Sequence, residues 1–311
     1  MTKHVLLATE KAFAASARDQ VVGILKAAGY EVTTLENYKG KEPLVHAAAA
    51  ADAMIVRSDI VDDEVLAAAP RLKLVVRAGA GYDNVDCDKA KGRGVAVMNT
   101  PGQNANAVAE LAFGLMIYSA RGKFGGKSGS ELRGKTLGLH ACGAVGRAVA
   151  AIAKGFGMTV LAFDPFVKPE QLREIGVEPV ATVDELYKKC HYVSLHMPAN
   201  KETKKSIGKA LLSLLPKGAC VVNTARAEVM NEDEMVAVLE ERKDLRYVSD
   251  IAPSEPVGEA LKAKAGERVY WNPKKLGAQT EEANVNAGLA AARQIVDFFE
   301  QGVRKFIVNG L

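Results

Sequence analysis

The sequence predicts an α/β protein made of two doubly wound parallel-sheet domains with a cleft between them. Short apolar runs alternate with stretches rich in Ala, Leu, Lys and Glu along almost the whole chain of 311 residues. Most of these runs are continuous rather than alternating, which is typical of strands covered by helices on both faces. Ten such runs are too many for one mononucleotide-binding half, so we expect two domains.

The runs and the glycine and proline residues between them define the predicted elements. The predicted strands cover residues 4–9, 31–35, 52–57, 72–77, 95–99, 136–141, 159–163, 192–197, 219–224 and 245–250. A proline–glycine pair ends the fifth run, and helices are predicted over 105–120 and 281–300. We expect a nucleotide-binding domain over 100–284 and a discontinuous, flavodoxin-like substrate-binding domain over 1–99 plus 285–311.

Composition and charge argue against several classes of partner. The formal net charge of +4 is spread along the chain, whereas a nucleic-acid-binding protein more often has a clustered basic stripe. No apolar run reaches the ~18 residues of a membrane span, and the N-terminus has no signal-peptide pattern. The four cysteines form no CxxC pair, so no metal site is expected. We expect a cytoplasmic protein with no nucleic-acid or membrane partner.

Residues 137–147 (LGLHACGAVGR) lead an apolar run into a glycine turn that opens a small-residue helix. The dinucleotide fingerprint is G-x-G-x-x-G, and here Ala141 replaces its first glycine. In the predicted Rossmann domain Gly143 lets the backbone approach a pyrophosphate, and Gly146 lets the helix pack closely on the strand. At Ala141 we expect either a negative φ or a strained backbone.

Asp164 follows the next apolar run, 18 residues after Gly146. A carboxylate there accepts hydrogen bonds from ribose hydroxyls and repels a 2′-phosphate, so NAD is favoured over NADP. The backbone N–H groups of Ala144 and Val145 and the helix dipole favour the phosphates. The alternative is a pair of helix-packing glycines without a ligand, but the strand before, the helix between and the acid after favour NAD.

Residues 221–226 (VVNTAR) place Arg226 just past a buried run, where it could meet a substrate carboxylate. With this run the chain resembles the D-isomer-specific 2-hydroxyacid dehydrogenases over nearly its whole length. The other segments that carry the resemblance are 77–86 (RAGAGYDNVD), 104–110 (NANAVAE), 132–138 (LRGKTLG), 194–198 (SLHMP) and 250–256 (DIAPSEP). Each segment is weak evidence alone, but six in this order are specific.

The resemblance implies an NAD-dependent dehydrogenase that passes a hydride between the substrate C2 and the nicotinamide. It implies that Arg226 holds the substrate carboxylate and carbonyl with its planar guanidinium. It also implies that Glu255 hydrogen-bonds and orients the acid–base residue. The further residues that it implies for the cofactor site are His196, Met197, Pro198, Thr203, Thr224, Ala225 and Asp250.

The segment that carries the family's acid–base histidine, a run similar to T-P-H-L-G-A-S-T, departs from that pattern here. Residues 272–280 read NPKKLGAQT, with one extra residue and no histidine. Alignment on the LGA that follows places Lys275 at the acid–base position, whereas alignment on Pro273 places Lys274 there. Lys275 is preferred because the helix that follows fixes the register. His196 is a less favoured substitute, and a surface lysine in a loop is the structural alternative.

A lysine in this role has a consequence for the pH dependence of the reaction. As an ammonium it can protonate the developing alkoxide when a 2-oxo acid is reduced. For oxidation of a hydroxy acid it must first lose a proton, and lysines ordinarily do so at about pH 10.4. We therefore expect an alkaline optimum for the oxidation.

Arg57 and Ser58 follow the third predicted strand, where a second positive charge suits a dianionic substrate. Lys39 lies in a loop after the second strand and could add to that charge, although a solvated loop charge is its commoner role. Within the family, Arg-Ser at this point together with Asn104 is similar to members that act on 3-phosphoglycerate. Backbone N–H groups for the substrate carboxylate are offered by a glycine loop formed by Gly79, Ala80 and Gly81.

The expected reaction is the NAD-dependent oxidation of D-3-phosphoglycerate to 3-phosphohydroxypyruvate, and its reverse, the first step of phosphorylated serine biosynthesis. A glyoxylate, hydroxypyruvate or D-lactate reductase on the same scaffold is the first alternative. A non-catalytic NAD-sensing protein, like the corepressors of this family, is the second. The helix 105–120 is apolar on more than one face and the family forms dimers there, so a homodimer through the nucleotide-binding domain is expected. No regulatory domain is expected after the last helix.

Overall fold

The computed structural model describes residues 2–311 and groups the chain into two compact units. One unit combines the chain up to Asn104 with Thr280–Leu311, and the other is Ala105–Gln279. The predicted junctions differ from these by a few residues, because the long helix after the second junction packs entirely on the first unit. That this first unit binds the substrate stays a prediction.

The elements follow one another as alternating strands and helices. The strands are β1 (His4–Thr9), β2 (Glu31–Glu36), β3 (Ala53–Val56), β4 (Leu74–Arg77), β5 (Ala96–Asn99), β6 (Thr136–His140), β7 (Thr159–Phe163), β8 (Glu178–Pro179), β9 (Tyr192–Leu195), β10 (Cys220–Asn223), β11 (Arg246–Ser249) and β12 (Val269–Trp271). The helices are α1 (Ala15–Ala27), α2 (Glu42–Ala48), α3 (Asp63–Ala67), α4 (Cys87–Gly92), α5 (Ala105–Ala120), α6 (Ala144–Gly155), α7 (Pro169–Glu174), α8 (Val183–Lys189), α9 (Lys209–Leu212), α10 (Glu232–Glu241), α11 (Glu255–Ala265) and α12 (Glu281–Gln301).

The first unit is a five-stranded parallel sheet in the order β2-β1-β3-β4-β5, which is the flavodoxin-like order. Its central strands are buried on both faces, which is why they read as continuous apolar runs. Helices α1 and α12 cover one face and α2, α3 and α4 the other. After α12 the chain returns to β5. There the side-chain amide of Asn309 accepts from the Val97 N–H and donates to the Val95 carbonyl.

The second unit is a seven-stranded parallel sheet in the order β12-β11-β10-β9-β6-β7-β8. Numbered from β6, this is the Rossmann order 3-2-1-4-5-6 with one further strand at the edge. The strand order reverses between β6 and β9, and ligands of such sheets bind at the carboxyl ends of the strands beside that point. The predicted fold class, two doubly wound parallel sheets, is confirmed.

All ten predicted strands are present, and two more complete the second sheet. Strand β8 has two residues and β12 has three, so neither offers a run long enough to stand out in the sequence. The omission of β12 matters because the loop after it carries the two candidate lysines. Within residues 2–311 no helix has the length and apolar character that a bilayer crossing requires.

Candidate active site

The glycine turn after β6 has the conformation of a dinucleotide-binding turn. Ala141 has a φ of 77°, in the left-handed region that glycine tolerates best, so the strained alternative of our expectation is the one observed. Gly146 cannot carry a side chain without rearrangement, because a β-carbon there would lie 2.7 Å from the Ala141 carbonyl oxygen. The turn therefore holds α6 against β6 as the fingerprint requires.

This turn also has the space and the donors that a pyrophosphate needs. A β-carbon on Gly143 would meet no atom within 4 Å, so the backbone there is open to a ligand. Gly143 is the N-cap of the twelve-residue helix α6 and provides no side-chain cap. The N–H groups of the first turn, which includes Ala144 and Val145, therefore remain available to an anion. The residues present fit the diphosphate of NAD.

Asp164 lies just past β7 and is bonded to the glycine turn. Its Oδ2 accepts the N–H of Cys142 at 2.7 Å, and its Oδ1 accepts the N–H of Phe166 at 2.8 Å. A carboxylate oxygen can accept more than one hydrogen bond, so capacity for ribose hydroxyls remains. Asp164 thus fixes the turn as well as being placed to select the ribose.

Several buried polar atoms at this edge of the sheet have no partner among residues 2–311. They are both ring nitrogens of His196, the Ser194 hydroxyl and the Thr224 hydroxyl. Burial, with a contribution from His140, lowers the pKa of His196 to about 3, and burial lowers the pKa of His140 to about 4. Both imidazoles are therefore neutral near pH 7, and His196 is a poor acid–base candidate.

The loop after β9 carries the remaining predicted cofactor residues of that segment. Met197 is buried, and the Pro198 carbonyl accepts from the Thr203 hydroxyl at 2.5 Å. The same hydroxyl accepts the Asn200 N–H at 2.9 Å, so the loop from 198 to 203 is closed on itself. It stands beside the glycine turn, because His196 N–H donates to the His140 carbonyl.

The loop after β10 presents Arg226, and Asn223 shapes that loop. The Asn223 amide donates to the Arg226 carbonyl at 2.9 Å and accepts from the Ala225 N–H at 3.0 Å. The Arg226 guanidinium donates to the Ala225 carbonyl at 2.9 Å, and the Lys275 ammonium donates to the same oxygen at 3.3 Å. The structure therefore brings Arg226 and Lys275 together on one carbonyl oxygen. Two adjacent cations of this kind can hold a carboxylate and a neighbouring oxygen.

Asp250, predicted to contact the cofactor, lies at the base of the lysine loop. Its carboxylate is buried and accepts the backbone N–H groups of Leu276 at 2.8 Å and Gly277 at 2.9 Å. Lys274 is exposed and has no hydrogen bond within the described chain. Lys275 is exposed as well, but it reaches the Ala225 carbonyl beside Arg226; its acid–base role stays a prediction.

Glu255, expected to orient the acid–base residue, begins α11, and that role stays a prediction. It is exposed at the first residue of α11 and makes no hydrogen bond or ion pair with the described residues. The preceding residue, Ser254, is held by Glu232, which accepts its N–H at 3.1 Å and its hydroxyl at 2.6 Å. The helix start is therefore fixed by Glu232.

In the five-stranded unit Arg57 is tied to its own unit rather than free. Its guanidinium donates to the carbonyl of Lys11 at 2.9 Å and to the side chain of Asn284 at 2.5 Å, and it lies over the Phe13 ring. Burial lowers the pKa of Arg57. Ser58 and Lys39 are exposed.

The glycine loop after β4 is shaped by its neighbours. Gly79 has a φ of 149°, a conformation that residues with a side chain rarely adopt, and a β-carbon there would lie 1.5 Å from Nη1 of Arg77, so a larger residue would displace that guanidinium. The Gly79 carbonyl accepts from Thr100 N–H at 2.9 Å, and the Ala80 carbonyl accepts from the Asn99 amide at 2.7 Å. The predicted substrate residues of this unit all follow strand carboxyl ends, and they are Lys39, Arg57, Ser58, Gly79, Ala80, Gly81 and Asn104.

Sequence reasoning missed two positions that shape the second unit's site. Asn223 and Asn272 each place an amide on a loop that holds a candidate residue. The signal available was an asparagine at the end of an apolar run, a residue type that readily bonds nearby backbone. Among residues 2–311 no group of three His, Cys, Asp or Glu side chains could hold a metal ion.

Comparisons with known proteins agree with this geometry. Residues 115–273 match the family profile described as D-isomer specific 2-hydroxyacid dehydrogenase, NAD binding domain. A crystal structure of NAD⁺-bound 3-phosphoglycerate dehydrogenase from Entamoeba histolytica is similar, with a TM-score of 0.89 and 43% identity over 100% of both chains.

Two curated relatives differ in length. D-3-phosphoglycerate dehydrogenase of Methanocaldococcus jannaschii is 34% identical over 86% of this chain and 54% of its own length. Hydroxypyruvate reductase of Thermotoga maritima is 35% identical over 88% of this chain and 92% of its own length. The chain spans about half the length of the curated D-3-phosphoglycerate dehydrogenases it matches.

The doubly wound fold and the glycine turn fit the class of NAD-binding proteins. The chain belongs to the D-isomer-specific 2-hydroxyacid dehydrogenase family, as the resemblance in its motifs indicated. NAD is its cofactor, as predicted.

Proposed function

We propose that this protein oxidises D-3-phosphoglycerate to 3-phosphohydroxypyruvate with NAD⁺ and catalyses the reverse reduction. The observation that carries the proposal is the meeting of Arg226 and Lys275 on the Ala225 carbonyl, at the sheet edge that also holds the glycine turn. The similarity to the Entamoeba enzyme over the whole of both chains supports the substrate assignment.

In this proposal Arg226 binds the substrate carboxylate with its planar guanidinium, which also orients the C2 oxygen. Lys275 then acts on that oxygen. During oxidation the neutral amine accepts the C2 hydroxyl proton, and during reduction the ammonium returns it to the forming hydroxyl. When bound, NAD⁺ supplies the acceptor for the hydride that leaves C2. In this proposal Glu255 orients the acid–base residue, as the family resemblance implies.

The phosphate end of the substrate is assigned to the five-stranded unit. Arg57, Ser58 and Lys39 follow strand carboxyl ends there, and Arg57 supplies the more buried of the two positive charges. Binding a phosphate would require the guanidinium to exchange a hydrogen bond that it now makes to Lys11 or Asn284. The substrate class is therefore a phosphorylated 2-hydroxy acid.

Hydroxypyruvate reduction is the second candidate, and one structural observation favours it. The Arg57 guanidinium is already bonded within its own unit, so fewer of its donors are free for a phosphate. The Thermotoga relative of nearly equal length carries the name hydroxypyruvate reductase. Rates with 3-phosphoglycerate against glycerate, and with 3-phosphohydroxypyruvate against hydroxypyruvate and glyoxylate, distinguish the two.

The acid–base role of Lys275 is tested by a pair of adjacent substitutions. Lys275→Met is expected to lower kcat by about 100-fold or more, because a positioned proton donor contributes on that scale. Lys274→Met is the matched control and is expected to leave kcat within about twofold, since that side chain is exposed and unbonded. NAD⁺ affinity, measured by calorimetry, should be unchanged in both variants.

Three outcomes would contradict the proposal in different ways. Full turnover by Lys275→Met would remove the lysine mechanism while leaving the family reaction intact. Faster turnover of unphosphorylated acids by the wild-type protein would favour the reductase. Tight NAD⁺ binding with no turnover of any 2-hydroxy acid would favour a nucleotide sensor.

We also propose a homodimer formed through the seven-stranded unit. Helix α5 is strongly apolar, enough for more than one of its sides to be covered. Leu111 and Ile117 on this helix are only partly buried. Beside it Phe124 is 67% exposed and packs on Tyr118. Light scattering at micromolar concentration measures the mass. Location in the cytoplasm stays a prediction.

A further inference from the structure

We propose that Asn272 is a positioning residue that sets which lysine of its loop faces the substrate. This inference rests on the proposed function, because it concerns the presentation of Lys275. Asn272 directly follows strand β12, and only 4% of its surface is exposed. Its backbone N–H continues the sheet by donating to the Ser249 carbonyl at 3.0 Å. The residue is therefore fixed at both backbone and side chain.

The side chain of Asn272 bridges the buried Asp250 carboxylate and the half-buried Tyr270 hydroxyl. Its amide nitrogen donates to Oδ1 of Asp250 at 2.9 Å, and its amide oxygen accepts from the Tyr270 hydroxyl at 3.1 Å. An ionised carboxylate only accepts hydrogen bonds, so the amide nitrogen must face Asp250 and the oxygen must face Tyr270. An apolar residue at 272 would leave both groups short of a partner, which is costly in a buried position.

Asp250 links Asn272 to the far end of the loop through hydrogen bonds. The oxygen that accepts from Asn272 also accepts the backbone N–H of Leu276 at 2.8 Å, while Oδ2 accepts the N–H of Gly277 at 2.9 Å. A β-carbon on Gly277 would lie 2.9 Å from that Oδ2, so glycine permits the approach. Residues 272 and 276 are thus pinned to a single carboxylate oxygen.

The segment between the two pinned ends is residues 273–275. Lys275 is the last of these residues, and its ammonium reaches the Ala225 carbonyl. Because Lys275 is next to the anchored Leu276, its backbone position is more tightly fixed than that of Lys274. Lys274 lies at the middle of the segment, exposed and without a hydrogen bond in the described chain. The loop has one residue more than the corresponding run of the family. Because both ends of the loop are held by Asp250, the extra residue is confined to the segment 273–275.

The test is Asn272→Ala, with Asn231→Ala as the matched control. Asn231 caps helix α10 in the same unit, accepting the Glu234 N–H at 3.4 Å, and contacts none of the site residues. Asn272→Ala is expected to lower kcat for 3-phosphoglycerate by about 10- to 100-fold, as misplacement of a reacting group does. The KM for 3-phosphoglycerate and the NAD⁺ affinity should change by less than about threefold. Asn231→Ala should change none of these parameters.

A second readout does not depend on turnover. Trp271, the single tryptophan of the chain, immediately precedes Asn272, so its fluorescence reports on the start of the loop. Acrylamide should quench Trp271 more strongly in Asn272→Ala than in the wild type or Asn231→Ala. If Asn272→Ala does not fold, Tyr270→Phe replaces it, since it removes only the hydroxyl bonded to Asn272 and keeps the ring. That variant should lower kcat by about threefold at unchanged KM.

The outcomes separate this inference from the proposed function. A wild-type protein that turns over 3-phosphoglycerate while Asn272→Ala keeps kcat within twofold overturns the positioning role alone. Equal losses of kcat and NAD⁺ affinity would also overturn it, because they would indicate general damage to the unit. If the wild type has no dehydrogenase activity the proposed function fails, and unchanged Trp271 quenching would then reject the anchor as well.

Discussion

The carboxyl edges of the two sheets use their polar groups in different ways. At the edge of the seven-stranded sheet the ring nitrogens of His196 and the Thr224 hydroxyl are buried without partners, and Gly143 borders open space. At the edge of the five-stranded sheet Arg57 and Asp59 are bonded to side chains or backbone of the same unit. Asp59 there accepts from Glu10 N–H at 2.6 Å, Arg57 N–H at 2.9 Å and the Tyr38 hydroxyl.

This difference in hydrogen bonding shows how each edge is prepared for a ligand. A buried polar atom without a partner costs about 1–3 kcal/mol, and a ligand that supplies the partner recovers that free energy on binding. The hydroxyls of Thr9 and Thr100 and one carboxylate oxygen of Glu36 in the five-stranded unit are also unpartnered, so the contrast is between the imidazole of His196 and the guanidinium of Arg57. The nucleotide edge is preformed, whereas the other edge must exchange existing bonds, above all those of Arg57.

The largest expected effect comes from a substitution at Gly146, which disrupts the preformed nucleotide edge. In Gly146→Ala the new β-carbon would lie 2.7 Å from the Ala141 carbonyl oxygen, so α6 must move from β6. Binding of NAD⁺ must then restore the overpacked turn, at a cost of about 2–3 kcal/mol, which corresponds to a roughly 30- to 150-fold weaker NAD⁺ affinity measured by calorimetry.

Gly155→Ala on the same helix is the control for that substitution. A β-carbon there would meet nothing within 4 Å, so the NAD⁺ affinity should be unchanged. Equal affinities for the two variants would show that close packing at the turn does not prepare the nucleotide edge.

A second prediction tests whether burial at the nucleotide edge keeps the imidazole of His140 neutral. Its pKa in the folded protein is lowered to about 4, so between about pH 6.5 and pH 4 the unfolded chain binds a proton that the folded protein does not. Stability is therefore lost as the pH falls through this window. His140→Leu should remove that loss, reducing the drop in unfolding free energy between pH 7 and pH 5 by about 2 kcal/mol.

Urea unfolding followed by Trp271 fluorescence measures this effect in the seven-stranded unit. His46→Gln is the control, since His46 is exposed on α2 in the other unit. An identical pH dependence for His140→Leu and the wild type would show that the imidazole is not held neutral by burial.

The smallest expected effect concerns Arg57 in the five-stranded unit. Arg57→Ala should lower kcat/KM for 3-phosphoglycerate by about tenfold, equivalent to about 1.4 kcal/mol of phosphate binding, and leave the NAD⁺ affinity unchanged. The gain is modest because Arg57 must first give up bonds to Lys11 and Asn284.

Arg71→Ala provides the matched control for charge in the same unit. Arg71 pairs with Asp52 at 2.8 Å and is not among the substrate residues, so it should have no effect on kcat/KM. Equal losses on phosphorylated and unphosphorylated acids in Arg57→Ala would assign Arg57 a structural role and favour the hydroxypyruvate reductase.

Much of the nucleotide edge could be predicted because its signals are local. Gly143, Gly146 and Asp164 stand at fixed spacings from one apolar run, and hydrophobic periodicity identifies the strands on either side. The strained φ of Ala141 also followed from a missing glycine at a position of known geometry. The assignment of Lys275 over Lys274 came from the register of the following helix, and the contact to Ala225 supports it.

Other features depend on which residues meet across the fold. Glu255 is exposed at the start of α11, and its expected role of orienting Lys275 stays a prediction. The bonds that occupy Arg57 come from residues 46 and 227 positions away in the chain. No spacing in the sequence indicates such partners.

By itself the sequence determined the two parallel sheets, the cofactor class and the family, because these depend on periodicity and on short motifs whose geometry is local. The tertiary structure decided which polar groups are satisfied and which remain open. It joined Arg226 to Lys275 through Ala225, and Asn272 to Leu276 through Asp250. Hydrogen bonds act over about 3 Å, so their partners are fixed only when the chain has folded and distant strand ends have met at one edge.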